Sequence, residues 1–350
     1  MQTIEPVVRA NVLSKFDNVV ANYSVDPAPL LAAVGLSSAD ITDPDRYISL
    51  NTVAELFELA AKRTKDTLFG LQYATEFPAG GSGLLGHLML TSPTVGDVLK
   101  VIEDYLEVHA LSMRTKLAHQ GGVYSLYVGY PATFTAPHMQ YTAFLLTALV
   151  MRLRLGAGQS WCPYAVEFAH RAPDNLKAYQ RYFGTRLTFD ALRYRFDVDE
   201  ADMAKPMPKL MEGLAKTVRA QGDLVLAETR TRYDVVGRTF LALSDSFANE
   251  QPFDLEAIAK SMDLPVRALQ WRLEQAGTSY ERLLARTRSR IAVHLLRDTD
   301  QPIAIIAMRL GYSETSAFTR ATQNWFKESP SVMRRRLREG GPDDGPAGPD

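Results

Sequence analysis

The chain has 350 residues, 46% of them hydrophobic and 23% charged, which is ordinary for a folded protein and excludes a collagenous or wholly disordered chain. Its single cysteine, Cys162, excludes an internal disulfide framework and a cysteine-rich zinc or iron–sulfur centre. The formal net charge of −1 conceals an asymmetry: residues 252–338 carry 15 Lys and Arg against 9 Asp and Glu, or +6, and the remainder carries −7.

The length is about twice that of a typical domain and predicts two folded units. No apolar run approaches the ~18–20 residues needed to span a bilayer, and the N-terminus lacks the apolar core of an export signal. We therefore expect a cytoplasmic protein without a membrane partner. A basic segment joined to an acidic body favours a polyanion-binding unit next to a unit with another task.

Residues 1–205 mix helical and strand patterns and predict an α+β domain. Asn51–Thr64 places its apolar residues on one helical stripe, and Ser92-Pro93-Thr94 is typical of a helix start. Gly121-Gly122 turns the chain into a β-rich run at Val123–Gly129. The other predicted elements are helices at Pro137–Leu155 and Pro173–Phe183 and short strands at Ala165–Ala169 and Arg186–Phe189.

Residues 206–250 are predicted to form a helical linker. Pro206 and Pro208 interrupt the chain, and a long stretch with helical spacing follows from about residue 209 to 247. Such a helix could serve as a linker, as a dimerisation surface, or as both. Beyond the basic segment, residues 339–350 are rich in Gly, Pro and Asp and predict a disordered tail.

The basic segment, residues 251–338, repeats one pattern twice. Ile258-Ala259 and, forty-eight residues later, Ile306-Ala307 each precede a tight turn and a second short helix. The small alanine lets two helices cross closely, and an apolar residue, Leu264 or Tyr312, fills the corner. Gly311 suits a turn that needs positive φ. This spacing predicts two helix-turn-helix units, the structure that places a helix in the major groove of DNA.

The second helix of each unit carries polar side chains on its predicted outer face. Arginine and glutamine can form bidentate hydrogen bonds with guanine and adenine edges. The predicted DNA-binding residues are Arg267, Gln270, Trp271 and Arg272 in the first unit and Thr315, Ser316, Thr319 and Arg320 in the second. A generic pair of helical hairpins is the alternative, which the duplication and the local +6 charge disfavour.

The segment Phe253–Arg336 resembles the DNA-binding domain of the AraC/XylS family of bacterial transcription regulators. The resemblance rests on Gly277-Thr278-Ser279-Tyr280, the stretch Arg288–Leu296, and Ser316-x-Phe318-x-Arg320. It also rests on two longer runs, Pro302-Ile303-x-x-Ile306-Ala307-x-x-Leu310-Gly311-Tyr312 and Trp325-Phe326-Lys327-Glu328-Ser329-Pro330. The resemblance implies a seven-helix all-α domain in which one long helix joins the two units.

The front of the chain resembles the "arabinose-binding" N-terminal domain found in many of these regulators. The matching motifs are Phe69-Gly70-Leu71, Leu85-Gly86-His87, Ser92-Pro93-Thr94, Phe168-Ala169-His170-x-x-Pro173, Tyr179-x-x-Tyr182-Phe183-Gly184 and Leu187-Thr188-Phe189-Asp190. Relatives with this domain respond to amino acids, lipids or other small metabolites, so the resemblance implies a sensor domain. It names neither the effector nor its binding residues.

Two residues of the first unit depart from the family pattern. Trp271 stands where the family usually has arginine, and an indole cannot form a bidentate pair with guanine. Pro265 stands where the family usually has a serine cap; proline suits the first turn but supplies no capping side chain. We therefore expect base reading by the first unit to depend on Arg267 and Gln270, with van der Waals contact from Trp271.

Catalytic, cofactor and metal sites are not predicted. Gly81-x-Gly-x-x-Gly86 lacks the strand–turn–helix context of a dinucleotide fingerprint and is interpreted as a flexible glycine turn. The six histidines show no metal-ligand spacing, and no nucleophile elbow is present. Cys162 is interpreted as a buried structural thiol, with a redox sensor as the alternative. An enzyme fused to a DNA-binding domain would need a reactive cysteine or an acid–base cluster in the front domain.

The sequence predicts a DNA-binding transcription regulator, not an enzyme, that is controlled by a small-molecule effector in the N-terminal domain. Its expected partners are double-stranded DNA, the effector, a second copy of the chain in a homodimer and, for an activator, RNA polymerase. The alternative is a regulator whose N-terminal domain only dimerises or binds a protein partner. The operator, the effector and the direction of regulation are left open.

Overall fold

The computed structural model of the protein describes residues 5–111, 113–131, 133–191, 193–208, 212–231, 235–248 and 251–339. Up to Met203 helices alternate with strands, and the described residues after it form helices without strands. This agrees with the predicted α+β front domain and all-α C-terminal domain. None of the described helices is long and apolar enough to cross a membrane. The predicted disordered tail falls, from residue 340 onward, outside the described residues.

The front domain contains two antiparallel-rich sheets. One has the strand order β2-β1-β3, and the other has the order β4-β5-β8-β6-β7, in which only the β6–β7 pair is parallel. The strands are β1 (Val7–Arg9), β2 (Tyr47–Ser49), β3 (Ala110–Leu111), β4 (Arg114–Gln120), β5 (Val123–Gly129), β6 (Ala165–Glu167), β7 (Arg186–Thr188) and β8 (Tyr194–Asp199).

Local chemistry explains the elements that the sequence predicts best. Gln120 pairs with Val123 across a two-residue turn, and Gly121 and Gly122 adopt φ of 59° and 78°, the positive values that a tight hairpin turn requires. The hydroxyl of Thr94 accepts a hydrogen bond of 3.1 Å from the amide of Asp97 and so caps the next helix. The predicted hairpin and helix start are both confirmed.

The helices of the front domain pack against the sheets and against one another. They are α1 (Phe16–Ala21), α2 (Pro27–Ala33), α3 (Ser38–Thr42), α4 (Leu50–Thr64), α5 (Phe69–Glu76), α6 (Gly83–Leu90), α7 (Val95–His109), α8 (Met139–Ala157), α9 (Leu176–Phe183) and α10 (Glu200–Met203). Helix α8 lies between two apolar cores. It contributes Val150 and Leu153 to one core and Tyr141 and Phe144 to the other.

The stretch predicted as one long helix, 209–247, contains two separate α-helices, α11 (Ala215–Thr231) and α12 (Val235–Ala248), while residues 209–211 and 232–234 lie outside the described residues. Helix α11 packs on the front domain, where the Tyr105 hydroxyl donates a 2.5 Å hydrogen bond to Asp223. Helix α12 places Val236 and Leu243 in a core with Ile258. The first half therefore packs on the front domain, whereas the second half joins the core of the C-terminal domain and also contacts β5 of the front domain.

The C-terminal domain is built around one central helix. Its elements after α12 are α13 (Leu255–Ser261), α14 (Val266–Gln275), α15 (Tyr280–Asp298), α16 (Ile303–Arg309), α17 (Thr315–Phe326) and α18 (Pro330–Arg338). Leu283 of α15 joins a core with α12, α13 and α14, and Leu296 of α15 joins a second core with α16 and α17. Counting α12, the described residues give the seven helices that the resemblance implies.

Candidate DNA-binding surface, interior cavity and domain junction

The two predicted helix-turn-helix units have matching backbone geometry. In the first unit, the amide of Leu264 donates a 3.0 Å hydrogen bond to the carbonyl oxygen of Ala259. In the second, the amide of Tyr312 donates a 3.0 Å hydrogen bond to the carbonyl oxygen of Ala307. Positive φ values of 54° at Asp263 and 76° at Gly311 allow both turns. Both alanines are buried, as close helix crossing requires. Each unit thus positions a second helix, α14 or α17, by the same turn.

The first unit exposes all four of its predicted DNA-binding residues. Leu269 and Leu273 anchor α14 in the core, which leaves the side chains of Arg267, Gln270, Trp271 and Arg272 in solvent. Trp271 is 61% exposed, an unusual position for a residue with a large apolar side chain. Pro265 occupies the N-cap of α14 and supplies no side-chain hydrogen bond to it.

The second unit exposes three of its four predicted residues. Thr315, Ser316 and Arg320 are exposed, whereas Thr319 is partly buried and donates its hydroxyl hydrogen bond to the carbonyl of Thr315 at 3.0 Å. The Ser316 hydroxyl lies 2.9 Å from the carboxylate of Glu314. The two hydroxyls therefore have partners within the helix, and Arg320 is the strongest donor on this face.

A basic side chain at the middle of α15 connects the two units. The guanidinium of Arg288 lies 5.4 Å from the ring centre of Phe253 and 5.0 Å from that of Tyr312. A cation over an aromatic face is stabilised by the charge distribution of the ring. Because Phe253 precedes the first unit and Tyr312 follows the turn of the second, this contact fixes the two units relative to each other.

The front domain contains a cavity of about 340 Å³ between α5, α6, α7, β5 and α8. This volume lies in the range of small-molecule sites in proteins. Aliphatic and thioether side chains form most of its wall, among them Leu85, Met89, Leu106, Met113 and Leu149. The glycine-rich turn at 80–86 borders the cavity and is tightly packed: a Cβ at Gly86 would lie 2.7 Å from the carbonyl oxygen of Gly80.

Of the described residues that line this cavity, most are apolar and none is acidic. His109 is buried, and burial lowers its pKa to about 4, so the ring is neutral near pH 7. Burial also lowers the pKa of Arg152 to about 10, which leaves the guanidinium charged. The Thr142 hydroxyl lies 2.9 Å from that of Tyr130. Sequence reasoning assigned none of these residues, although two arginines at 152 and 154 within an otherwise apolar helix were a visible signal.

The front domain contacts the C-terminal domain through backbone and side-chain hydrogen bonds at the end of α15. The amide of Arg171 donates to the carbonyl of Asp298 at 3.0 Å, and the amide of Asp300 donates to the carboxylate of Asp190 at 2.7 Å. The buried side-chain amide of Gln301 donates to the carbonyls of Asp190 and Ala191, at 3.1 Å each. This junction holds the segment between the two helix-turn-helix units against the front domain.

A cluster of ionisable side chains lies beside these bonds. The rings of His138 and His294 stack with centres 4.7 Å apart, and His294 lies 2.8 Å from Asp298. Burial, and then the neighbouring His294, hold the pKa of His138 well below its usual value. Burial raises the pKa of Asp298, but hydrogen bonds from Arg297 and His294 outweigh it and hold that pKa well below the usual range.

This cluster brings together three possible metal ligands: His294 and Asp298, four positions apart on α15, and His138 from the front domain. The sequence predicts no metal site. Both carboxylate oxygens of Asp298 already accept hydrogen bonds of 2.7 Å from the adjacent Arg297, and a fixed positive charge next to the site opposes a cation. The arrangement serves as a polar contact between the domains. Cys162, predicted as a buried thiol, is only partly buried.

Comparisons with known proteins agree with this architecture. Residues 25–207 match the family described as the arabinose-binding domain of AraC transcription regulators, and residues 258–336 match a helix-turn-helix domain family. The ornithine utilization regulator of Pseudomonas aeruginosa is 24% identical over 94% of this chain and 96% of its own. The regulator VirS of Mycobacterium tuberculosis is 25% identical over 94% of this chain and 96% of its own.

Among solved structures, the transcriptional regulator CdpR of Pseudomonas aeruginosa covers 91% of this chain and 97% of its own, with 19% identity and a TM-score of 0.43. The first family match alone spans more than half of the chain, and the second covers both helix-turn-helix units. The matching geometry of the two units and the two family matches lead to one conclusion: the chain belongs to the AraC transcription regulators with an arabinose-binding-type N-terminal domain and is a DNA-binding transcriptional regulator.

Proposed function

We propose that the protein is a transcription regulator whose contact with DNA is controlled by a small molecule bound in the cavity of the front domain. The observation that carries this proposal is the 340 Å³ cavity, whose wall includes α8, in a domain that is hydrogen-bonded to the segment between the two DNA-binding units. A domain that only dimerises or binds a protein would not need such a cavity. DNA binding implies that the protein acts in the cytoplasm, at the chromosome.

The exposed faces of α14 and α17 are the proposed DNA-reading surfaces. Arg267, Gln270 and Arg272 supply donors on the first helix, and Arg320 supplies them on the second, with Trp271, Thr315, Ser316 and Thr319 contributing shorter-range contacts. Helix α15 has 19 residues and is about 28 Å long at ~1.5 Å per residue. Successive major grooves on one face lie ~34–36 Å apart, so two helices packed at its ends can enter both.

Helix α8 offers a physical route from the cavity to the DNA-binding domain. Thr142 and Arg152 both line the cavity, and His138, the residue that precedes the helix, stacks on His294 of α15. Tyr130 lines the cavity and also packs 4.9 Å from the ring of His138. A ligand that moves α8 or Tyr130 would therefore change the contact with α15. Such a ligand can shift the equilibrium between two arrangements of α8 and α15 only if it binds one arrangement more tightly than the other.

The proposed domain boundaries remain 1–205, 206–250 and 251–338. Within the middle segment, α12 packs in the core of the C-terminal domain, so α11 is the proposed dimerisation surface. On α11 the side chain of Leu224 is 68% exposed, an apolar group available to a second copy. RNA polymerase is a further partner if the protein is an activator.

The experiment that tests this function starts with the full chain and a pool of random duplex DNA. Selected sites should give hydroxyl-radical footprints with two protected patches about one helical turn apart for each protomer. Metabolite fractions are then screened for a rise in Tm and a change in the footprint. Sites that bind without any two-patch pattern would contradict the DNA-reading model. If saturation with the metabolite fractions changes neither the Tm of the chain nor its DNA footprint, the alternative of dimerisation or protein binding is supported.

A further inference from the structure

One wall of the cavity carries a buried positive charge. Arg152 lies in the C-terminal half of α8 and lines the cavity. The residue is only 7% exposed. A guanidinium has five N–H donors. The one hydrogen bond described for Arg152 is long, 3.4 Å from Nη1 to the carbonyl oxygen of Gly86.

No carboxylate of the described residues pairs with this charge. Arg152 takes part in none of the described salt bridges, and burial is the sole cause of its lowered pKa. The described residues that line the cavity include no Asp or Glu. A buried charge is costly unless it is paired and hydrogen-bonded. The folded protein therefore carries an unfavourable group at the cavity wall that a bound anion would stabilise.

The neighbouring arginine on the same helix shows a different arrangement. Arg154 donates a 2.8 Å hydrogen bond to the carbonyl of Trp161 and a 3.0 Å bond to that of Tyr182. It does not line the cavity, and it stabilises the end of α8. The two arginines lie two positions apart on the same helix. The hydrogen bonds of Arg154 account for it as a structural group, whereas the single long bond described for Arg152 does not.

We propose that the cavity binds an amphipathic carboxylic acid, with the carboxylate on Arg152 and an aliphatic body along the apolar wall. This assignment rests on the proposed function and specifies its ligand class. A guanidinium binds a carboxylate through two parallel hydrogen bonds, the strongest polar contact available to it. Because His109 is neutral near pH 7, Arg152 is the single fixed charge among the described lining residues, which favours a monoanion over a phosphate dianion.

The wall also defines the shape of the acid. Thr142 and Arg152 line the cavity and lie ten residues apart on α8, a rise of about 15 Å. Leucine is the commonest side chain of the lining, which also includes methionines, and methionine adapts to a flexible aliphatic partner. An extended acyl chain fits this lining better than a compact sugar, which would leave its hydroxyl groups without partners.

The test measures binding of three probes to the full chain by titration calorimetry: decanoic acid, decanol and decylamine. Decanoic acid should bind about ten- to a hundredfold more tightly than decanol, since a hydrogen-bonded charge contributes that factor, and decylamine should bind most weakly. In Arg152→Met the preference for the acid should disappear while decanol binding persists. Arg152→Met without ligand should also have a higher Tm than the unsubstituted chain, because the buried charge is gone.

Two further variants separate the possible failures. Arg152→Lys keeps the charge and should retain part of the preference, whereas Arg154→Met should lower Tm and leave the full preference for the acid. If the acid and the alcohol bind equally to the unsubstituted chain, or if Arg154→Met abolishes the preference, the assignment to Arg152 is wrong although the cavity remains a ligand site. If no probe binds, the ligand class is wrong. The metabolite screen of the full chain then decides the proposed function separately.

Discussion

Replacing Gln301 by alanine should loosen the junction between the two domains without unfolding either. The side-chain amide donates two hydrogen bonds of 3.1 Å to the front domain, at the carbonyls of Asp190 and Ala191. Each such bond contributes a net ~0.5–1.5 kcal/mol. Their loss should shift the equilibrium between docked and undocked domains by about 1–3 kcal/mol, or roughly 5- to 150-fold.

Hydrogen exchange measured by mass spectrometry reports this shift directly. The amides of Arg171 and Asp300 donate across the junction, so peptides that contain them should exchange faster in Gln301→Ala. Gln301→Glu keeps the size of the side chain but faces the two carbonyls with a carboxylate, and should accelerate exchange further. Gln275→Ala, at an exposed position on α14, is the matched control. Unchanged exchange in both Gln301 variants would refute the reasoning that these bonds hold the domains together.

Three other predictions concern DNA reading, the second turn and pH. Arg320→Ala should cost about 1–3 kcal/mol on the selected site and relax one base position; an equal loss on random DNA would identify a phosphate contact instead. Gly311→Ala should destabilise the second unit by about 2 kcal/mol or more, since the residue has φ of 76° and a Cβ would lie 2.4 Å from Phe253; a Tm equal to that of the unsubstituted chain would contradict this. Burial lowers the pKa of His109 from 6.5 to about 4 in the folded chain. Between pH 6.5 and about 4 the unfolded chain therefore binds a proton that the folded chain does not, and the free energy of unfolding falls as the pH decreases. His109→Gln should reduce that fall by up to ~1.4 kcal/mol per pH unit in urea unfolding, and an unchanged slope would show that His109 is protonated in the folded state.

The parts of the fold that sequence reasoning located well depend on local chemistry. A glycine with positive φ, a capping threonine and apolar residues at helical spacing are read from neighbouring residues, which is why α7, the β4–β5 hairpin and the two helix-turn-helix units were predicted closely. The stretch predicted as one long helix, 209–247, contains two helices with different packing partners. In α11, Asp223 contacts Tyr105 of the front domain, and in α12, Leu243 packs with Ile258 of the C-terminal domain. Helical periodicity alone does not distinguish these partners.

The cavity and the junction depend on contacts between residues far apart in the chain. Arg152 meets Gly86 across 66 positions, and Asp190 meets Asp300 across 110. The stacked pair His138 and His294 comes from α8 and α15, helices of different domains. No spacing rule connects such residues, so the sequence offered at most a hint, an arginine inside an apolar helix, and the folded chain was needed to show what surrounds it.

The most direct test of ligand control measures the affinity of the full chain for its selected DNA site by fluorescence anisotropy, with and without a molecule shown to bind the cavity. Coupling through α8 and the junction predicts a change in Kd of at least fivefold on ligand addition. The change should disappear in Ala148→Phe, which places a ring in the cavity wall, and shrink in Gln301→Ala. An unchanged Kd and an unchanged footprint, with the ligand bound, would contradict the account.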